Sequence, residues 1–437
     1  MIPMQPSPAG LPSRSFGGRH RGSASSGWLA RLAAAPHRLG FLAGGTLLAL
    51  LALWWGAALV ARAAVVPLPW VVNPGTAHAL AFAFGFMPLF FTGFLFTAGP
   101  RWLGLPAVPG GRLLVPVSLM VLGWAAALAG FHLSVALAAL GLAVAAVGFA
   151  LATGLFGLMV LESRVADRDH PALVVLGCAV GAIALWVAAV AVALHHDAAV
   201  RAAVHAALWG CFGLVFATVA HRMIPFFTTA AMPRLDAWSS RALLGLLAWL
   251  MAIQAPFAAT EALLGGSLPP DAAALRAAIE LGGGAWLLWL ATRWGLVQSL
   301  KFRLLAMLHM GFFWLGVAFT LGGVSHALMA LSNGNLSLGL APLHAFTMGY
   351  LGSTLLAMAS RVAVGQSGRA VVADNWLWAM FWALQLGIVA RVAAALWPAA
   401  GTPLTLFAAQ CWLAALGAWI LRHGGLLMRS RQDGQAR

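Results

Sequence analysis

The chain has 437 residues, of which 62% are hydrophobic and only 8% charged, and its formal net charge is +15 at pH 7. Since soluble domains are about a quarter charged, this composition excludes a soluble globular protein and indicates a chain that crosses a membrane several times. The long unbroken apolar runs are typical of helices. The basic residues are spread over short loops rather than clustered, which excludes nucleic acid as a partner.

The N-terminal residues 1–38 are rich in Pro, Gly, Ser and Arg, and they predict a disordered basic arm without a cleavable signal peptide. The apolar runs, and the polar and turn-forming residues that separate them, then predict an all-α domain of about twelve transmembrane helices over residues 39–428. A short tail, 429–437, follows it. The predicted helices cover residues 39–62, 75–99, 112–133, 135–161, 171–195, 200–229, 239–265, 273–298, 302–330, 339–363, 372–397 and 403–428.

The distribution of basic residues predicts the orientation. With a cytoplasmic N-terminus, only Arg62, Arg201, Arg276 and Arg391 of the 25 Lys and Arg residues fall on the outer side. Cytoplasmic segments carry the excess of Lys and Arg in membrane proteins. The pattern therefore predicts a multi-pass protein with both termini in the cytoplasm, and an even number of helices agrees with it.

Histidines inside the apolar runs are the candidate functional residues, because an ionisable side chain in hydrocarbon is expensive and usually has a role. His78 and His344 lie near the starts of predicted helices 2 and 10, which both run from the outer side inward. These two imidazoles are therefore expected at one depth in the outer half, where they could hold a haem between them. The ordinary alternative is an interfacial or hydrogen-bonded histidine.

Four more histidines are candidate ligands of a second metal, since imidazole suits copper or iron. His205 and His326 are expected in the outer half, and His221 and His309 in the inner half. A separate pattern concerns Glu280, the most deeply embedded carboxylate, which follows Arg276 by four residues. That spacing predicts an ion pair on one helix face.

Four segments, taken together, resemble blocks of the NnrS family of bacterial inner-membrane proteins. They are GTAHALAFAFGFMPLFFTGFLFTAGPRWLG (75–104), HRMIPFFT (221–228), MLHMGFFWLG (307–316) and PLHAFTMGYLGSTLLAMASRVAVGQSGR (342–369). The resemblance implies a haem- and copper-containing membrane protein associated with denitrification and relief of nitric oxide stress. It also implies cofactor ligands at His78, His309 and His344, which match family histidines.

The chain departs from the family pattern at several positions. Thr76 and Ala79 stand where the family has a histidine and a glutamate, and Gln366 replaces another histidine. His221, in contrast, stands where the family usually has glycine. A metal centre built on the missing histidines would be absent or rebuilt, and copper binding is the implied property that these departures affect most.

A more distant similarity is to the large subunit of haem-copper oxidases, in which haem ligands lie early in helices 2 and 10. His78 and His344 occupy those places. Predicted helix 7 contains no histidine, however, so the copper ligands of an oxidase have no counterpart and oxygen reduction is not expected.

The sequence therefore predicts a membrane haem protein that transfers electrons or handles nitric oxide, with a membrane quinone or a small soluble carrier as redox partner. Haem ligands are expected at His78, His344 and His309, and other metal ligands at His205, His221 and His326 as well as His78 and His344. Whether the protein is an enzyme stays open. Two other classes also stay open: a transporter with histidines lining a polar pathway, and an assembly factor without redox chemistry.

Overall fold

The computed structural model describes residues 28–368 and 370–428, and these residues form helices and short loops without a strand. Twelve long helical segments account for most of them. They are α1 (Pro36–Ala63), α2 (Pro74–Trp102), α3 (Gly110–Leu133), α4 (Val135–Glu162), α5 (Asp169–Ala193), α6 (Asp197–Ala231), α7 (Arg241–Leu263), α8 (Pro270–Arg293), α9 (Arg303–Leu331), α10 (341–366), α11 (Asn375–Leu396) and α12 (Pro398–Met428).

Ten of these segments are long and apolar enough to cross a membrane. The other two are α8, which carries Asp271, Arg276, Glu280 and Arg293, and α10, which is divided into shorter pieces. Each segment lies within a few residues of a helix predicted from the sequence. The prediction of an all-α, multi-pass membrane bundle is therefore confirmed.

Some boundaries differ from the prediction. Most of the predicted N-terminal arm and all of the predicted tail lie outside the described residues, whereas Trp28–Leu32 forms a short helix and α1 already begins at Pro36. Proline is favoured in the first turn because its missing N–H needs no partner there. Predicted helix 8 was extended to residue 298, but α8 ends at Arg293 because Gly295 takes a left-handed backbone conformation with φ of 98°.

Several helices begin at side chains that satisfy free backbone N–H groups. The Asn73 side chain accepts from the N–H groups of Gly75 and Thr76 at the start of α2. Ser240 and Asp374 accept in the same way at the starts of α7 and α11. Such caps each contribute about 1 kcal/mol. They fix where the helices start and therefore the depth of residues in the first turns.

Consecutive segments run in opposite directions, and most of them pack against their neighbours in the chain, while α12 returns to pack against α1. The loops therefore alternate between two ends of the bundle. We use "outer end" for the end that carries loops 64–73, 194–196, 264–269 and 332–340, and "inner end" for the opposite one. α2, α6 and α10 all begin at the outer end.

Three of the segments are locally irregular. α2 is interrupted between Phe84 and Met87, where Pro88 lies in the first turn of the second piece. α6 and α10 each contain a π-helical stretch, Leu208–Gly213 and Ala345–Gly352. π-Helical turns are rare and occur often at functional sites.

Glycines allow close approach between neighbouring helices. An ideal Cβ built on Gly40 of α1 would lie 2.5 Å from the Cα of Gly93 in α2. Side-chain atoms do not approach a backbone so closely, so the two helices touch only because both positions lack a side chain. This contact sets the spacing between α1 and α2.

We predict that Gly40→Ala destabilises the bundle by about 1–3 kcal/mol, because the added methyl group forces α1 away from α2. Thermal unfolding of the detergent-solubilised protein measures the effect. Gly56→Ala is the matched control on the same helix, since nothing lies within 4 Å of a Cβ there. An equal loss of stability in both variants would contradict the close-packing explanation.

Candidate functional site

His344 lies in the first turns of α10 and is half-buried. Its Nδ1 lies 2.9 Å from the carbonyl oxygen of Leu340, one turn earlier. A carbonyl oxygen only accepts, so Nδ1 carries the proton and donates. The lone pair is then on Nε2, which is the arrangement of a histidine prepared to bind a metal.

His78 lies in the first turns of α2 and is held between aromatic rings. Its imidazole stacks on Trp55 of α1, with ring centroids 4.2 Å apart and planes at 24°, and it contacts Phe82 at 4.6 Å. Its Nδ1 is buried without a hydrogen-bond partner among the described residues. A buried polar atom without a partner costs about 1–3 kcal/mol, so an unsatisfied imidazole nitrogen at this place calls for an explanation.

The structure places His78 and His344 near each other at the outer end. The two side chains are close enough to interact electrostatically, and Arg391 of α11 lies within the same range of both. Trp412 of α12 lies near Phe82, with ring centroids 6.5 Å apart. The indole N–H of Trp412 is a second buried polar group without a partner among the described residues.

A buried ionic cluster occupies another part of the outer end. Arg276 Nε lies 3.1 Å from Glu280 Oε1, which confirms the ion pair predicted from the spacing. Arg276 also contacts Glu261 of α7, with Nη1 and Oε2 2.5 Å apart, and donates to the Gln254 side chain at 3.0 Å. Sequence spacing gives no signal for Glu261, because only the packing of α7 against this region brings it to Arg276.

His326 of α9 belongs to this cluster. Its Nδ1 lies 2.6 Å from Glu280, and its Nε2 lies 3.4 Å from Glu261. Both ring nitrogens therefore face carboxylates. His205 is half-buried and, together with the cluster, lines a cavity of about 380 Å³ that also borders Leu340. Because the Leu340 carbonyl holds His344, the cavity reaches the neighbourhood of the histidine pair.

The remaining predicted histidines lie toward the inner end. His221 donates from Nε2 to the carbonyl oxygen of Ser240 over 3.1 Å, so its Nδ1 accepts from His170 Nε2 over 2.9 Å. The pair lines a recess of about 610 Å³ together with Arg222. The sequence predicts only that His170 lies in a cytoplasmic segment, and its spacing gives no signal for this contact.

His309 is fully buried, and its Nε2 lies 2.9 Å from the Thr228 hydroxyl. Along α9 it precedes His326 by seventeen residues, which corresponds to about 25 Å. His326 lies at the outer end, beside the cavity that borders Leu340. The structure therefore does not bring His309 to His78 and His344.

Within residues 28–368 and 370–428, no three His, Cys, Asp or Glu side chains form a group that could hold a metal ion. Thr76 stands where the family resemblance leads us to expect a histidine.

The Thr76 hydroxyl donates to Asp197 at the start of α6, over 3.4 Å. This contact ties α2 to α6 next to the histidine pair.

The comparison with known protein families gives one match. The family described as NnrS protein matches residues 31–431, which is nearly the whole chain. Among curated proteins, none matches the chain.

We predict that Arg276→Gln destabilises the protein by up to about 3–5 kcal/mol, because it leaves the buried Glu280 and the half-buried Glu261 with only His326 as a positive partner. The midpoint of thermal unfolding in detergent measures the loss. Arg293→Gln is the control, since Arg293 lies on the same helix but is exposed. Equal unfolding midpoints for the wild type and Arg276→Gln would show that the cluster does not stabilise the fold.

Proposed function

The chain belongs to the NnrS family, and we propose that it binds haem through His344 and His78 and takes part in handling nitric oxide at the bacterial inner membrane. One observation carries the proposal: His344 donates Nδ1–H to the Leu340 carbonyl and so offers Nε2, while a second imidazole lies close by on a helix of the same direction. Bound haem would supply an iron atom that binds nitric oxide or passes single electrons.

The residues at this place fit a haem in their chemistry. His78 and Trp412 both have buried nitrogen atoms without partners among the described residues. Trp55 and Phe82 present flat apolar rings beside His78. Nitrogen ligands, aromatic walls and a nearby cation, Arg391, are the groups that a large flat anionic metal complex requires.

The two histidines have different roles in this proposal. His344 is the fixed ligand, because its hydrogen bond to Leu340 sets both the ring orientation and the position of the lone pair. His78 is held by ring contacts and makes no hydrogen bond among the described residues. We therefore assign His78 as the residue that would give up its place to a small diatomic molecule.

The proposed orientation has both termini in the cytoplasm. It rests on the excess of Lys and Arg in the loops of one end of the bundle. In this orientation the histidine pair faces the periplasmic half of the membrane. Electrons would then come from a membrane quinone or a small soluble carrier, because the short loops form no separate docking domain.

Copper stays a prediction from the family resemblance. His205 is the candidate ligand nearest the outer cavity, whereas both nitrogens of His326 already face Glu280 and Glu261. Metal analysis of the purified protein tests copper and iron in one sample.

We predict that the purified wild-type protein shows a haem Soret band, and that His344→Ala abolishes it because the oriented ligand is lost. His78→Ala is expected to keep haem with a shifted Soret band and to bind nitric oxide more readily. The visible spectrum, before and after addition of nitric oxide to the reduced protein, measures both effects.

His195→Asn is the control for this experiment. His195 is exposed in an outer loop and has a positive φ of 55°, a conformation that asparagine tolerates. Its spectrum should equal that of the wild type. A wild-type protein without a Soret band would refute the proposal and favour a transporter or an assembly factor, and an unchanged spectrum in His344→Ala would remove His344 from the site.

A further inference from the structure

Arg391 is a cation inside a membrane helix for which the described residues provide no counter-ion. It lies five residues before the end of α11, at Leu396, and its side chain is half-buried. Among the hydrogen bonds and ion pairs of the described residues, none involves Arg391. Arg391 lies within electrostatic range of His78 and His344.

The other arginines that the described part of the bundle buries or half-buries all have partners. Arg276 contacts two carboxylates and Gln254. The remaining three use carbonyl oxygens or aromatic rings: Arg38 donates to the Arg31 carbonyl, Arg222 lies over Trp102 and Arg361 lies over Phe227. Arg391 is therefore the exception in this set.

A charge held in the hydrocarbon region without a partner is expensive, so such residues normally face an opposite charge or water. The imidazoles beside Arg391 provide no negative charge. Since no described carboxylate contacts Arg391, we look for its anionic partner in a bound molecule. Guanidinium binds carboxylates through two parallel N–H bonds, which makes a carboxylate the best-matched anion.

We propose that Arg391 binds a carboxylate side group of the haem held by His78 and His344. This inference rests on the proposed function. A haem carries two carboxylate groups at one edge of its ring, and Arg391 lies within electrostatic range of both proposed iron ligands. The packing of α10 against α11 brings Arg391 to this position. Arg391 is thus a residue that positions the cofactor and neutralises its charge.

The cation also acts on the iron. A positive charge close to the ring favours the reduced iron, which carries less positive charge than the oxidised one. Removal of the charge should therefore lower the reduction potential. A guanidinium that instead extended to lipid headgroups would leave both haem binding and the potential unchanged.

The test uses full-length protein in detergent, purified from cells that cannot make haem. Titration with haem and with haem dimethyl ester, in which both carboxylates are esterified, is followed by the Soret band. We expect the wild type to bind haem about tenfold to a hundredfold more tightly than the ester, as charge-assisted hydrogen bonds require. Arg391→Gln should lose this preference, and its haem should have a lower reduction potential.

Two further variants make the result specific. Arg391→Lys keeps the positive charge but cannot form two parallel hydrogen bonds to a carboxylate. It should retain the wild-type reduction potential and only part of the preference for haem over its ester. Arg62→Gln removes an exposed arginine at the same end of the bundle and should match the wild type.

Equal affinity of the wild type for haem and its ester would overturn the role of Arg391, and this measurement needs no variant to fold. The same conclusion would follow if folded Arg391→Gln kept the wild-type preference and potential. In both cases wild-type haem binding would leave the proposed function intact. A wild type that binds neither compound would overturn the proposed function and, with it, this inference.

Discussion

The bilayer core offers no hydrogen-bond partner to a buried polar group, so polar side chains of different helices must pair with one another. The clearest example is Arg276, which joins three helices because its guanidinium contacts Glu261 and Glu280 while His326 contacts the same two carboxylates. In such a bundle, a buried polar group that lacks a partner indicates a place where another molecule could bind. The unsatisfied nitrogen of His78 and the unpaired guanidinium of Arg391 lie near the same place, at the outer end.

Much of the architecture could be predicted from the sequence, because hydropathy over about 20 residues marks a span without knowledge of its neighbours. The direction of each helix follows from the count, and it correctly placed His78 and His344 at one end. The pairing of Arg276 with Glu280 was also predictable, since both lie on one helix. Glu261, Arg391 and His170 could not be assigned in this way, because their contacts come from packing between segments far apart in the chain.

The sequence pattern likewise does not predict the local irregularities of the backbone. The π-helical stretches Leu208–Gly213 and Ala345–Gly352 follow His205 and His344 closely and read as ordinary apolar helix. The two stretches pack on each other, and Trp209 stacks on Phe346 with ring centroids 4.0 Å apart. A π-turn rotates the residues that follow it relative to those before it. It therefore sets the direction of the preceding histidines independently of the rest of the helix.

The three histidines that match the family pattern do not form one group in space. His309 lies about 25 Å along α9 from the outer cluster, where Thr228 contacts its ring. A metal atom bound by His78 and His344 cannot also reach His309, since metal–nitrogen bonds are only about 2 Å long. The three histidines that the family resemblance implies as ligands therefore occupy at least two structural environments in this chain. One is the outer pair, and the other is His309, whose Nε2 contacts the Thr228 hydroxyl and whose buried Nδ1 has no partner among the described residues. Only the outer pair has the combination of a fixed tautomer, a second imidazole and an unpaired cation that a haem site needs.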